Sequence, residues 1–347
     1  MTLRCGSFLS LLCLSVAPGF AQQLVSTTPA PTERQITLDV AVNEKSGAPV
    51  PGLQQQDFTL LDNKQPQTIT SFKAITGAAE PIQVILVVDE VNTVFSRVAY
   101  ERDEIERYFK RDGGALPVPI SLAYLSDKGL VMGGTATKDG NALIAAMNDN
   151  KNGLRTVTRS QGFYGAAERL ELSLRGLEQI ANYEMARPGR KIVVWISPGW
   201  PLLSGPRIEM TSKDQQNYFA SVVNFSYLLR RAGITLYSVD PLGTSDSGGF
   251  RTFYYEAFLK GVKKPSEVQL GNLALQVLAT QSGGRVFNSN NDVASEIANC
   301  VRDTTAYYEV TFEGLRGDGP NDYHPLEMKV DKPGLTAHTR TGYYAQP

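Results

Sequence analysis

Ile82-Gln-Val-Ile-Leu-Val-Val-Asp89-Glu-Val-Asn-Thr93 decides how the rest of the chain is read. Seven residues rich in Val, Ile and Leu, interrupted only by Gln83, read as a parallel strand covered on both faces by helices. The strand ends in a carboxylate. In an open α/β sheet the ligand crevice lies outside the carboxyl ends of the strands, so Asp89 is expected at the functional edge.

Outward from this strand, apolar runs alternate with helical patterns. Helices are expected over 96–110, with Ser96 as cap, and over 139–147, 163–186, 213–231, 268–281 and 293–301. The third ends at Pro188-Gly189. Buried strands are expected over 120–125, 192–196, 234–239 and 285–287, with a short edge strand over 129–132. This alternation predicts a doubly wound, Rossmann-like and mostly parallel sheet with right-handed crossovers over residues 79–303.

The two ends of the chain change period. Residues 36–42 alternate apolar and polar side chains, and 58–61 and 68–72 add two short strand candidates, so 35–78 reads as a small antiparallel β segment. Residues 304–347 carry three more candidates, at 307–312, 325–330 and 336–340. Neither segment holds enough residues for a core alone. They are expected to pack together as one antiparallel β domain with the α/β domain inserted between them.

Residues 1–21 have the charged start, short apolar middle and small residues near Ala21 of a secretory signal; Pro18-Gly19 stops the apolar run well short of the roughly 18 residues a membrane span needs. An exported protein, periplasmic, cell-envelope or extracellular, is therefore expected, with no transmembrane helix after cleavage. Residues 22–34 read as a polar linker. The mature chain would keep Cys300 alone, which excludes an internal disulfide. With 34 Lys plus Arg against 35 Asp plus Glu, no net field favours nucleic acid.

Asp89-Glu-Val91-Asn-Thr93 resembles Asp-x-Ser-x-Ser, the metal-ion-dependent adhesion motif of von Willebrand factor A domains. Arg190-Lys-Ile-Val-Val-Trp-Ile-Ser197-Pro-Gly199 resembles the strand that in that family ends in Thr-Asp-Gly. Asp57-Phe58, Asp62-Asn63 and Gln67 resemble a pattern preceding the A domain in an exported bacterial subfamily with flanking β segments. The resemblance implies a divalent cation held by the first-loop Asp and hydroxyls, a second-loop Thr and a third-loop Asp, with a position left for a partner's carboxylate. Here Asp89 and Thr93 match, Val91 replaces the middle hydroxyl, and Pro198 stands where the third-loop Asp belongs. Thr156 or Thr158 would supply the second loop, and Asn92, Ser197 or Asp240 would have to compensate for the missing oxygens. Hard cations want near-octahedral oxygen ligands. A degenerate site of Asp89, Thr93 and Ser197 with weak or absent Mg²⁺ binding, and no other cofactor, is the expectation; hydrogen bonding of Asp89 to the amides of the adjacent loops is the alternative role.

The insert over 241–264 leaves the carboxyl end of a strand and carries Phe250, Phe253, Tyr254, Tyr255 and Phe258. Trp200, Leu202 and Leu203 leave the neighbouring strand. Aromatic side chains give large contact area at low entropy cost, so Trp200, Leu202, Phe250, Phe253, Tyr254 and Tyr255 are expected to contact a protein or glycan partner, unless the rings close over the domain's own core. No glycine-rich phosphate cradle follows a strand. Ser197 before Pro198-Gly199 is a poor nucleophile elbow, with Trp195 in place of the first Gly, and only His324 and His338 are available as bases. The sequence thus points to an exported, non-enzymatic adhesion or assembly module, with a purely structural envelope scaffold or a serine hydrolase as alternatives.

Overall fold

The structure is a computed structural model; it describes residues 34–77, 82–93, 95–149, 163–201, 210–241 and 255–347. Residues 1–33, Thr156, Thr158, Leu202, Leu203, Phe250, Phe253 and Tyr254 lie outside that set.

Among the described residues four strands come first: β1 (Gln35–Glu44), β2 (Phe58–Asp62), β3 (Gln65–Gln67) and β4 (Ile69–Thr76). The middle of the chain alternates. β5 (Ile82–Asp89) leads to α1 (Phe95–Phe109), β6 (Ala115–Ser126), β7 (Gly129–Asp139), α2 (Gly140–Asp149) and α3 (Phe163–Met185). Then come β8 (Arg190–Ile196), α4 (Ser212–Arg231), β9 (Ile234–Val239), α5 (Leu275–Gln281), β10 (Val286–Phe287) and α6 (Val293–Arg302). Four strands close it: β11 (Ala306–Glu313), β12 (Asp322–Val330), β13 (Leu335–His338) and β14 (Gly342–Ala345).

The central sheet has six strands in the order β10-β9-β8-β5-β6-β7, all parallel except the antiparallel edge pair β6–β7. Its middle strand pair is β8–β5. Successive β5 side chains point to opposite faces, which explains the unbroken apolar run: Ile85 and Val87 pack with Trp195 and Leu177 on one face, Val84, Leu86 and Val88 with Ile105 and Tyr237 on the other. Asp89 ends the strand fully buried.

The chain ends build one sandwich, as expected. Strand β11 lies between β1 and β4, with Ile36 opposite Phe312 and Ile75 opposite Tyr307. The facing sheet runs β14-β12-β2-β3. The alternating inward residues of β1, Ile36, Leu38, Val40 and Val42, meet Phe58, Leu60, Tyr308, Val310 and Phe312 in its core.

Buried Asp303, just past α6, ties the sandwich to the central sheet. One carboxylate oxygen accepts from Asn43 Nδ2 of β1 at 2.9 Å; the other accepts from the Tyr237 hydroxyl at 2.7 Å and from Arg285 at 2.9 Å. Its carbonyl accepts from Arg190 at 2.9 Å. A buried charge persists where it is paired and hydrogen-bonded, and the donors here come from both domains.

Several elements differ from the sequence expectation. β6 starts at Ala115 rather than at 120, because Pro117 and Pro119 hide a strand whose pairing to β7 skips from Ala115–Asp139 to Ile120–Thr137. β7 runs to Asp139 instead of stopping at 132, its glycine pair bending the strand at Gly134, φ +86°, rather than ending it. The helix expected over 268–281 is two 3₁₀ turns, Pro265–Glu267 and Leu270–Leu273, followed by α5. Strands β3 and β14 are too short to carry a period and were not expected.

Candidate functional site

The carboxyl end of β5 turns into the loop Glu90–Thr93, and Asp89 organises that turn. Its Oδ1 accepts the backbone N–H groups of Val91 at 3.0 Å and Asn92 at 2.9 Å. Its Oδ2 accepts Asn92 Nδ2 at 2.8 Å and the Trp195 indole N–H at 2.9 Å. The Ser197 hydroxyl is near enough to favour the charged form of the carboxylate. Burial pushes the Asp89 carboxyl above its ordinary range, and these donors, Trp195 foremost, pull it back. Asn92 Nδ2 donates onward to Ser173 on α3 at 2.9 Å, so the loop is tied to the neighbouring helix.

Three of the expected residues therefore need separate accounts. Asp89 and Ser197 are brought together. Thr93 is buried, but its hydroxyl has no hydrogen-bond partner among the described residues. Next to this group stands Glu101 of α1, fully buried, its carboxyl raised well above the ordinary range by burial and then by Asp89. The Thr93 hydroxyl is near enough to favour its charged form, although no hydrogen bond of sound geometry reaches either oxygen among the described residues.

The donor set does not fit a hard cation. A carboxylate offers about four lone-pair positions, and at Asp89 N–H groups take them. An indole N–H is a donor only and cannot turn a lone pair to a metal. Val91 contributes an apolar side chain to the core where a hydroxyl would be needed, and Pro198 has no oxygen to offer beyond its carbonyl. Among the described residues no group of three or more His, Cys, Asp and Glu side chains is placed to hold a metal ion.

Trp200 is 3% exposed and stacks edge-on against Trp195 with ring centroids 5.1 Å apart. This corrects the expectation of a partner-facing ring: the indole fills the space over the strand end and belongs to the core. Tyr255 is half-buried and packs towards Phe258, Ala274 and Val277. Leu202, Phe250, Phe253 and Tyr254 fall outside the described residues. Ser197 is fully buried, its hydroxyl accepting the Gly199 N–H at 3.2 Å and lying near the Asp89 carboxylate. His324 is held in the sandwich core by Asp62 at 3.0 Å, and His338 lies on β13. Neither is placed as a base for Ser197.

Trp195 and Glu101 are the residues sequence reading missed. A Trp inside a strand of β-branched residues was the available signal, because a buried indole N–H needs an acceptor. Glu101 gave no such signal, since its neighbours Arg102, Asp103 and Glu104 make it look like one more solvated charge.

No protein-family model matches the chain, and no curated protein matches it in sequence. Solved structures match parts of the chain at low identity and low TM-score. Proximal thread matrix protein 1 from the mussel byssus is 12% identical over 67% of this chain and 50% of its own, with a TM-score of 0.35. The chain thus spans about half the length of that protein. The pilus adhesin SpaC from Lactobacillus rhamnosus GG is 11% identical over 86% of this chain and 42% of its own, with a TM-score of 0.41. The TRAP protein of Plasmodium vivax, solved manganese-loaded, is 8% identical over 83% of this chain and 99% of its own, with a TM-score of 0.32. Strand order, the single antiparallel edge strand and the Asp at the end of the central strand define the class: a von Willebrand factor A-like fold, inserted in an antiparallel β sandwich.

Proposed function

We propose that this chain is an exported, non-enzymatic binding module that engages a protein partner at the carboxyl edge of its central sheet without a metal ion. The saturation of Asp89 by N–H donors carries this reading. A carboxylate in that state shapes the Glu90–Thr93 loop and has no free lone pair with which to recruit a cation. Loops held on a rigid strand end present a preformed surface, which lowers the ordering cost of binding. The buried, engaged Ser197 hydroxyl speaks against a nucleophile. Export rests on the signal-like first 21 residues. Among the described residues no helix is long and apolar enough to cross a membrane. Crosslinking in intact cells, with and without EDTA, tests the reading: the same partner should be captured in both, and capture lost on chelation contradicts it.

A further inference from the structure

At the opposite end of the central sheet from Asp89, the start of β8 and β9 and the end of α4 face β1 and β11 of the sandwich across a cleft of about 290 Å³. Six cationic side chains line it: Arg187, Arg190, Lys191, Arg230, Arg231 and Arg340. Two acids, Asp39 and Glu309, stand against them, leaving an excess of four positive charges (6 − 2) in a chain whose net charge is −1.

Local structure accounts for some of these cations. Arg230 and Arg231 sit in the last turn of α4, where a positive charge complements the helix dipole. Arg190 is fixed by the Asp303 carbonyl, by Asp39 at 3.6 Å and by the Tyr307 ring 4.5 Å from its guanidinium carbon. The Lys191 ammonium donates to the Arg187 carbonyl.

Arg340 is less fully accounted for. It is 9% exposed, its guanidinium makes no hydrogen bond or ion pair among the described residues, and the acid whose charge acts on it, Asp39, also serves Arg190 and Lys191. Burial, and then the nearby Arg230, push it down to about 10. Arg230 likewise makes no hydrogen bond or ion pair from its guanidinium among the described residues, and its one ring contact is Tyr227 at 5.5 Å. A buried cation without a hydrogen-bond partner is costly, and a second, half-buried guanidinium facing the same cleft adds like-charge repulsion. An anion seated between them removes it, and two guanidinium forks match the oxygens of a phosphoryl group.

We propose that this cleft binds a small soluble phosphoryl anion carrying two or more negative charges, of the pyrophosphate or phosphate-monoester class, held chiefly by Arg340 and Arg230. At about 290 Å³ the cleft falls just below the range of drug-sized ligand sites, about 300–1,000 Å³, which suits a small anion. The site is independent of the partner-binding edge, so either proposal stands or falls alone.

Isothermal calorimetry of the full chain with sodium pyrophosphate, at ionic strength held constant with sodium chloride, tests this. Saturable sub-millimolar binding is expected, weakened about tenfold or more by Arg340→Gln and by Arg230→Gln, since each removes a charge-assisted contact. Lys329→Gln, on the distant β12, should leave the affinity unchanged. Thermal melts of each variant without anion verify folding, and the more accessible Arg230→Gln keeps the test decisive if Arg340→Gln fails to fold. No saturable binding to the wild type, or equal affinity in all variants, overturns the assignment.

Discussion

The indole N–H of Trp195 donates to Oδ2 of Asp89 at 2.9 Å, across the middle strand pair of the central sheet. The contact joins residues 106 positions apart and puts an N–H donor on the carboxylate that the resemblance to adhesion motifs implies would hold an ion. Trp195→Phe keeps most of the ring volume and removes the donor. It should cost about 2 kcal/mol of stability, the range for a hydrogen bond to a charged group, read as a lower urea midpoint with an unchanged slope. A variant as stable as the wild type would show that the indole bond is incidental.

This pair also marks how far the sequence reaches. The apolar run of β5 fixes a strand buried on both faces, and the carboxylate at its end follows from the same seven residues. The pairing of Asp89 with Trp195 does not, because it depends on the register of β5 against β8, with Val87 opposite Trp195. Glu101 was hidden for a similar reason: which face of α1 turns inward is set by packing on the sheet, and the alternating charges of 101–107 do not reveal it. Pro117 and Pro119 broke the β6 signal, and Gly133-Gly134 looked like the end of β7. Periodicity finds long elements and misses those interrupted by residues with a special backbone role.

Buried carboxyls make stability depend on pH in a definite direction. Burial raises Glu296 to about 8 and Glu90 to about 7. Well below the ordinary Glu value of about 4.5, folded and unfolded chains both hold these protons. As pH rises, the unfolded chain releases them first, so the folded state loses stability until its own carboxyls titrate. Wild-type stability should therefore carry a component that falls between about pH 4.5 and 8. Glu296→Gln should flatten that fall, measured by urea melts at pH 5 and 8. An unchanged slope would mean that Glu296 titrates normally in the fold.

Asp303→Asn should destabilise the protein by about 3–5 kcal/mol, the range for breaking a buried charged pair. The amide nitrogen would meet the donors of Asn43 or of Tyr237 and Arg285. Because those donors come from the sandwich and from the central sheet, both should lose amide-exchange protection together. Loss confined to one of them would show that Asp303 does not couple the two.

Removal of residues 305–347 deletes β11 from between β1 and β4 and β12 from beside β2. The N-terminal strands then keep none of their pairing partners from the chain end, and residues 35–75 should become protease-sensitive. A truncated chain in which they resist protease as the full chain does would refute the shared core.

Metal independence of the sheet edge is the claim on which the proposed function rests, and titration calorimetry with Mg²⁺ and Mn²⁺ tests it most directly. Every lone pair of Asp89 is taken by an N–H group, so the account predicts no saturable heat with either ion, in the wild type and in Asp89→Ala alike. Micromolar affinity in the wild type that disappears in Asp89→Ala would contradict it and make the site a working cation-dependent adhesion centre.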